Sequence, residues 1–178
     1  LFSLPSACGD YLFVRMQTPE LGNEPYWLDP KTETAGLVAD IYPGREDSFS
    51  IYNNEQEAGY WFYSAKGYTF FFGSDGPNRS GFWRVKNTPP IASSLTRLRG
   101  LADAPFLFKG SMHGLSSYNA GTGTASLLRY DDNSGAFQAV AQLPGSPKLV
   151  ATGKDLMYFS DQSTDFNLRV SDGTQAGT

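Results

Sequence analysis

The sequence predicts an all-β protein that is β-propeller-like, with about four blade units of short antiparallel strands. Aromatic residues make up 15% of the 178 residues, whereas charged residues make up only 18%. Glycine and proline are frequent, with 19 and 11 copies. Short apolar runs recur along the chain, separated by turn-forming residues about every 8–12 positions. This combination is typical of a compact β protein that is rich in turns.

The apolar runs predict the strands in chain order. Strands are expected at 11–16, 36–42, 60–63, 68–72, 82–86, 106–109, 126–130, 136–141, 148–151, 155–159 and 167–170. The runs at 60–63 and 68–72 flank a glycine-containing loop of about four residues and predict a hairpin. Residues 91–99 follow two prolines and are expected to form either a short helix or an irregular connection.

A repeat organises these strands. Each unit has an apolar strand after a glycine, a variable loop, a strand that ends near an aromatic residue or arginine, a polar turn and a last strand. Equivalent positions hold Trp27, Trp83, Arg129 and Arg169. We expect a single domain, 1–178, with units at approximately 5–49, 50–99, 100–145 and 146–178. Four strands in about 40–50 residues is the size of one propeller blade.

The sequence is compatible with two arrangements of the propeller ring. The fourth unit stops before its last strand, so the ring is either truncated or completed by the first apolar run, residues 1–4. We favour a truncated, incompletely closed ring because that run is short.

The polar turns of the repeat are predicted to have structural roles. Their residues are Asp29, Thr32, Asp131, Gly135, Asp172, Gly173 and Thr174. In the Asp-Gly-Thr turn, the glycine can adopt a positive φ without steric cost. The aspartate and threonine can form hydrogen bonds with the local backbone.

Two stretches resemble a known bacterial repeat. The sequence Leu-Arg-Val-Ser-Asp-Gly-Thr-Gln-Ala-Gly-Thr at 168–178 is similar to the ELWxxDGTxxGT repeat, with Arg169 in place of tryptophan. Residues 26–44 resemble the same repeat and its usual continuation, which ends in Pro43-Gly44. The resemblance implies propeller-like arrays in large secreted or surface proteins of bacteria. It implies no particular enzymatic activity.

The residues that could perform catalysis or bind metal form no recognisable constellation. His113 is the only histidine, and no serine lies in a Gly-x-Ser-x-Gly elbow. The run at 131–135 begins like a calcium loop, but Gln142 stands where such a loop needs a bidentate glutamate. Cys8 is the only cysteine and is expected to be a small buried residue. We therefore expect no catalytic residue, no cofactor and no metal, and we favour a non-enzymatic protein.

The net charge and the hydropathy of the chain argue against two classes of partner, nucleic acid and membranes. The net charge is −4, which offers no basic surface for nucleic acid. No apolar run approaches the roughly 18 residues of a membrane-spanning helix, so no membrane insertion is expected.

The aromatic hairpin is the strongest candidate contact surface. Its residues are Tyr60, Trp61, Tyr63, Tyr68 and Phe71. They either pack between neighbouring blades or contact a protein partner or a sugar ring. We expect a non-enzymatic bacterial module for adhesion, recognition or assembly, extracellular or at the cell surface. A protein partner or self-assembly is favoured over a small molecule. The alternatives are a carbohydrate-binding or carbohydrate-active propeller, and a structural subunit of an extracellular filament or sheath.

Overall fold

The protein is all-β, as the sequence predicts. A computed structural model describes residues 5–49, 62–77, 79–89, 91–102, 105–161 and 167–178. Apart from a short 3-10 helix, Ala92–Ser94, the regular elements in these ranges are β-strands in four small antiparallel sheets. The chain divides into two compact units, Leu1–Leu98 and Arg99–Thr178. No helix in the described ranges is long and apolar enough to cross a membrane.

The first unit contains two four-stranded sheets, each with its strands in chain order. The first sheet consists of β1 (Ser6–Cys8), β2 (Tyr11–Thr18), β3 (Gly22–Asp29) and β4 (Thr34–Leu37). The second consists of β5 (Phe62–Ala65), β6 (Tyr68–Ser74), β7 (Ser80–Lys86) and β8 (Thr96–Leu98).

The second unit contains a four-stranded and a three-stranded sheet. The four-stranded sheet consists of β9 (Phe106–Phe108), β10 (Ser111–Leu115), β11 (Thr124–Asp131) and β12 (Ala136–Pro144). The three-stranded sheet consists of β13 (Pro147–Thr152), β14 (Met157–Asp161) and β15 (Leu168–Ser171).

Each unit has its own apolar core. In the first unit, the buried cluster consists of Cys8, Phe13, Val38, Ile41, Phe49, Phe62, Phe71, Val85 and Ile91. In the second, it consists of Phe106, Phe108, Leu115, Leu127, Ala141, Leu143, Met157 and Phe159. Both clusters draw on two sheets, because each sheet is too small to bury an apolar face by itself.

The repeat residues occupy equivalent places in the four sheets. Trp27, Trp83, Arg129 and Arg169 lie on β3, β7, β11 and β15, which are the third strands of their sheets in chain order. The positions that are equivalent in the sequence repeat therefore lie on equivalent strands, one in each of the four sheets.

Three local expectations differ from the structure. The loop between β5 and β6 has two residues instead of about four, because Lys66 and Gly67 both adopt positive φ, which suits a tight hairpin turn. The strand expected at 36–42 ends at Leu37. Beyond it, the backbone N–H groups of Ile41 and Tyr42 donate to the Glu24 side chain. Residues 91–99 form the 3-10 helix followed by β8.

Candidate binding groove

One face of the second sheet carries both aromatic and cationic side chains. Tyr68 of β6 pairs with Lys86 of β7, and Arg84 pairs with Phe70 on one side and Thr96 on the other. Because side chains alternate between the two faces of a strand, these residues share one face. The opposite face carries residues of the first unit's core, such as Phe71 and Val85. We call the face that carries Tyr68, Arg84 and Lys86 the groove face.

A groove opens at one end of this face. Its cavity volume is about 410 Å³, and its lining residues are Tyr68, Arg84, Lys86, Thr88, Pro89, Ser93, Ser94, Leu95 and Thr96. They come from the start of β6, the end of β7, the β7–β8 connection and the start of β8. The groove therefore depends on how that connection folds back beside β7.

Ser94 holds the connection in place. Its hydroxyl donates to the Ile91 carbonyl oxygen at 2.8 Å and accepts from the Lys86 backbone N–H at 2.7 Å. Ile91 is buried in the first unit's core, and Leu95 packs against that core. The apolar anchors thus fix the connection, and Ser93, Ser94 and Thr96 line the groove.

The lining is positively charged. The Arg84 guanidinium carbon lies 4.7 Å from the centroid of the Tyr68 ring, a cation–π arrangement. Lys86 is exposed, and no ion pair among the described residues includes it. Among the described residues of the lining, none is acidic. The groove therefore offers two cations in a chain whose net charge is −4.

The structure separates the predicted aromatic contact residues. Tyr63 pairs with Phe70 and lies on the groove face with Tyr68, and both are half-buried. Phe71 points the other way and is 0% exposed, with its ring 5.5 Å from that of Phe62. Phe71 is a core residue that cannot contact a partner, so it does not belong to a contact surface. Tyr60 and Trp61 lie outside the described residues.

The predicted turn residues form local hydrogen bonds. Asp29 accepts from the Lys31 N–H at 2.8 Å, and Asp131 accepts from the Asn133 N–H at 3.2 Å. Asp172 accepts from the backbone N–H of Thr174 at 2.9 Å and from its hydroxyl at 2.7 Å. Such hydrogen bonds lower the pKa of all three carboxyl groups.

The other turn residues complete these motifs. Gly135 and Gly173 adopt positive φ, at 67° and 93°. The Thr32 hydroxyl lies 2.8 Å from that of Thr34. These residues organise their turns, and none of them lines the groove.

His113 and Cys8 are buried, and neither lines the groove. His113 lies within β10, is 3% exposed and contacts the rings of Phe106 and Phe108. Burial lowers the pKa of His113 and raises the pKa of the Cys8 thiol. Within the described ranges, no group of three or more His, Cys, Asp and Glu residues could hold a metal ion.

The cationic and hydroxyl residues of the groove were not among the candidate site residues predicted from the sequence. The alternation of Phe82, Arg84 and Lys86 places the two cations on one face of β7 and is a readable signal. Their neighbours across the sheet depend on strand register and on the 3-10 helix, which the sequence pattern does not specify.

The chain resembles solved structures but no characterised family. No family model matches the chain, and no curated protein matches it. A solved structure described as Bacteroides ovatus xyloglucan PUL GH43B is similar, with 17% sequence identity and a TM-score of 0.35. The match covers 96% of this chain and 38% of that chain, so this chain spans well under half of that protein's length.

Proposed function

We propose that this protein is a non-catalytic recognition module that binds a glycan in the groove of the second sheet. The observation that carries the proposal is the groove itself. A guanidinium stacked on an aromatic ring lies beside the hydroxyl-bearing residues Thr88, Ser93 and Thr96.

The size and polarity of the groove favour a small hydroxylated ligand over a protein surface. A volume of about 410 Å³ falls in the range of small-molecule sites, about 300–1,000 Å³. Serine and threonine hydroxyls both donate and accept hydrogen bonds, which matches the hydroxyl groups of a sugar. We therefore propose a small hydroxylated ligand for the groove, in place of the protein partner that the aromatic hairpin suggested.

Binding is favoured over glycoside hydrolysis. Most glycosidases use a pair of carboxyl groups that flank the bond to be broken. The lining residues that the structure describes include no Asp, Glu, His or Cys. Its arginine and lysine can hold a ligand, but they supply no general acid–base pair of that kind.

The biological setting of the proposal rests on the ELWxxDGT resemblance. We infer that the four sheets are arranged like propeller blades and that the module works outside a bacterial cell or at its surface. Adhesion through a surface glycan is the role that fits such a module.

Blocking the groove tests the proposal. Thr88 is an exposed lining residue, so Thr88→Trp should fill the groove without removing a core contact. We expect a panel of neutral and acidic oligosaccharides to include at least one that binds the wild-type chain. The affinity of that oligosaccharide for Thr88→Trp should be lower than its affinity for the wild-type chain by about tenfold or more. A loss of this size corresponds to roughly one charge-assisted hydrogen bond.

Thr152→Trp is the matched control, because Thr152 is exposed in the second unit and does not line the groove. It should bind as the wild type does. The proposal fails if the panel contains no ligand, or if Thr88→Trp and Thr152→Trp bind a ligand equally. Release of reducing sugar from any panel member would replace binding with hydrolysis as the function.

Assembly is a second candidate function, favoured by a different observation. Leu168 and Val170 of β15 are 64% and 45% exposed, and they point to the same side of the strand. Large exposed apolar side chains that lie side by side are typical of protein contact sites. A second copy of this chain is the partner that we propose for them.

A further inference from the structure

We propose that the groove selects an acidic sugar, with Arg84 and Lys86 binding its carboxylate or sulfate group. This inference rests on the proposed glycan-binding function and specifies its ligand class. The shared chemistry is a sugar ring that carries an anionic oxygen group, either a uronate carboxylate or a sulfate ester.

The strand geometry places the two cations side by side. Arg84 and Lys86 are two residues apart on β7 and therefore point to the same face. At a rise of 3.2–3.4 Å per residue, their backbone positions are roughly 6.5–7 Å apart. One anionic group can lie between two such side chains, while the sugar hydroxyls reach Thr88 and Ser93 on the rim.

The two cations have different roles. A guanidinium presents a planar fork of N–H donors that matches a carboxylate or sulfate in two parallel hydrogen bonds. Stacking on Tyr68 restricts Arg84, which lowers the entropy lost when a ligand binds. Lys86 is an exposed point charge that attracts the anion without such geometry.

Charge pairing in the first unit supports this assignment. Arg97, on β8, forms an ion pair with Asp75 at 2.7 Å, so its charge is already compensated. Within the described part of the chain, Lys86 has no carboxylate partner, and the groove lining contains none. An anionic ligand would provide a compensating charge for Lys86.

Titration calorimetry on the full chain tests the inference with two pairs of probes. The first pair is trigalacturonate and its neutral methyl ester. The second is a sulfated galactose trisaccharide and its desulfated form. We expect the charged member of at least one pair to bind about tenfold more tightly than its neutral form. This preference should weaken as salt is added. The pair that shows the preference identifies the source of the anion.

The variants assign the preference to the two residues. Arg84→Gln should remove most of it, a loss of about tenfold, and Lys86→Gln should reduce affinity for the charged probe by about two- to fivefold. Lys154→Gln makes the same charge change at an exposed position of the second unit and should have no effect. If Arg84→Gln does not fold, as judged by circular dichroism, Lys86→Gln and the charge reversal Lys86→Glu carry the test.

The outcomes separate the two proposals. Equal affinity for the charged and neutral members of both pairs overturns the inference but leaves glycan binding standing. A preference that Lys86→Gln and Lys86→Glu leave unchanged also overturns it. If none of the four probes binds, the inference fails, and the Thr88→Trp experiment on the wider panel decides the proposed function independently.

Discussion

Glu24 is a carboxyl group placed where an ionised side chain is costly. It lies on β3, is 0% exposed and accepts hydrogen bonds from the backbone N–H groups of Ile41 at 3.0 Å and Tyr42 at 3.4 Å. Burial raises the pKa of Glu24 to about 7, and the hydrogen bonds that it accepts offset this only in part. Nearby Asp40 raises the pKa further.

The raised pKa predicts a pH-dependent stability. Between the ordinary value of 4.5 and about 7, the folded state binds more protons at Glu24 than the unfolded state does. The contribution of Glu24 to the free energy of unfolding should therefore fall as pH rises through this window and level off above it. Glu24→Gln keeps an acceptor oxygen but cannot ionise. Urea unfolding at a series of pH values should show wild type losing stability relative to Glu24→Gln across this window.

The difference in free energy of unfolding between wild type and Glu24→Gln reports the titration of Glu24. The titration of other groups, such as His113, contributes equally to both proteins and cancels. Glu20→Gln removes a carboxyl group from an exposed position and is the matched control for the loss of a charge. A difference between wild type and Glu24→Gln that stays constant from pH 4.5 to 7 would contradict the assignment.

At the scale of elements, the β3–β4 and β11–β12 turns have the same length and the same hydrogen-bonding pattern. β3 ends at Asp29 and β11 ends at Asp131, and each is followed by four residues before the next strand begins. Each aspartate accepts backbone N–H groups of its turn. The last turn residue has a positive φ in both, at 55° for Glu33 and 67° for Gly135. Glycine suits this conformation, whereas a glutamate there is strained.

The difference between these turns predicts opposite mutational effects. Glu33→Gly should raise the free energy of unfolding by about 0.5 kcal/mol, because relief of strain exceeds the added freedom of the unfolded chain. Gly135→Ala should lower it by about 1 kcal/mol. Both values can be measured by denaturant unfolding. Changes of the same sign would show that the two turns are not equivalent.

The sequence predicted most strands where apolar residues cluster. β1, β3, β8 and β10 were not among the expected strands. Ser6–Cys8 and Ser111–Leu115 lack a run of large apolar residues and become strands through pairing with their neighbours. Of the four third strands, β7, β11 and β15 were expected, and the repeat places Trp27 of β3 at the position equivalent to Trp83, Arg129 and Arg169. The apolar run at 36–42 overstated β4, because a distant glutamate provides alternative hydrogen-bond partners.

At the scale of the whole molecule, the set of residues that forms the groove could not be predicted from the sequence. Composition and periodicity identified the aromatic strands, but they could not decide which aromatic residue faced outward. Register decides it: Tyr68 shares a face with Arg84 and Lys86, whereas Phe71 shares one with Val85. A site assembled from two strands and a connection depends on such pairings.

The exposed apolar face of β15 predicts self-association of the whole chain. Leu168 and Val170 face the same side, and burying them between two copies would remove apolar surface from water. Light scattering coupled to size exclusion should show a mass that rises with concentration in wild type. The double variant Leu168→Thr, Val170→Thr should keep the mass of one chain. Both replacements make this exposed face more polar. Threonine is favoured in strands, so β15 should be retained.

Val150→Thr is the matched control for this experiment. Val150 is 59% exposed and lies in β13, at the opposite edge of the same three-stranded sheet. If β15 joins the copies, Val150→Thr should associate as wild type does, because a scattered apolar residue needs no partner. Equal weakening by Val150→Thr would instead indicate nonspecific association. A wild-type mass of one chain at every concentration would remove assembly and leave the groove as the site on which the function rests.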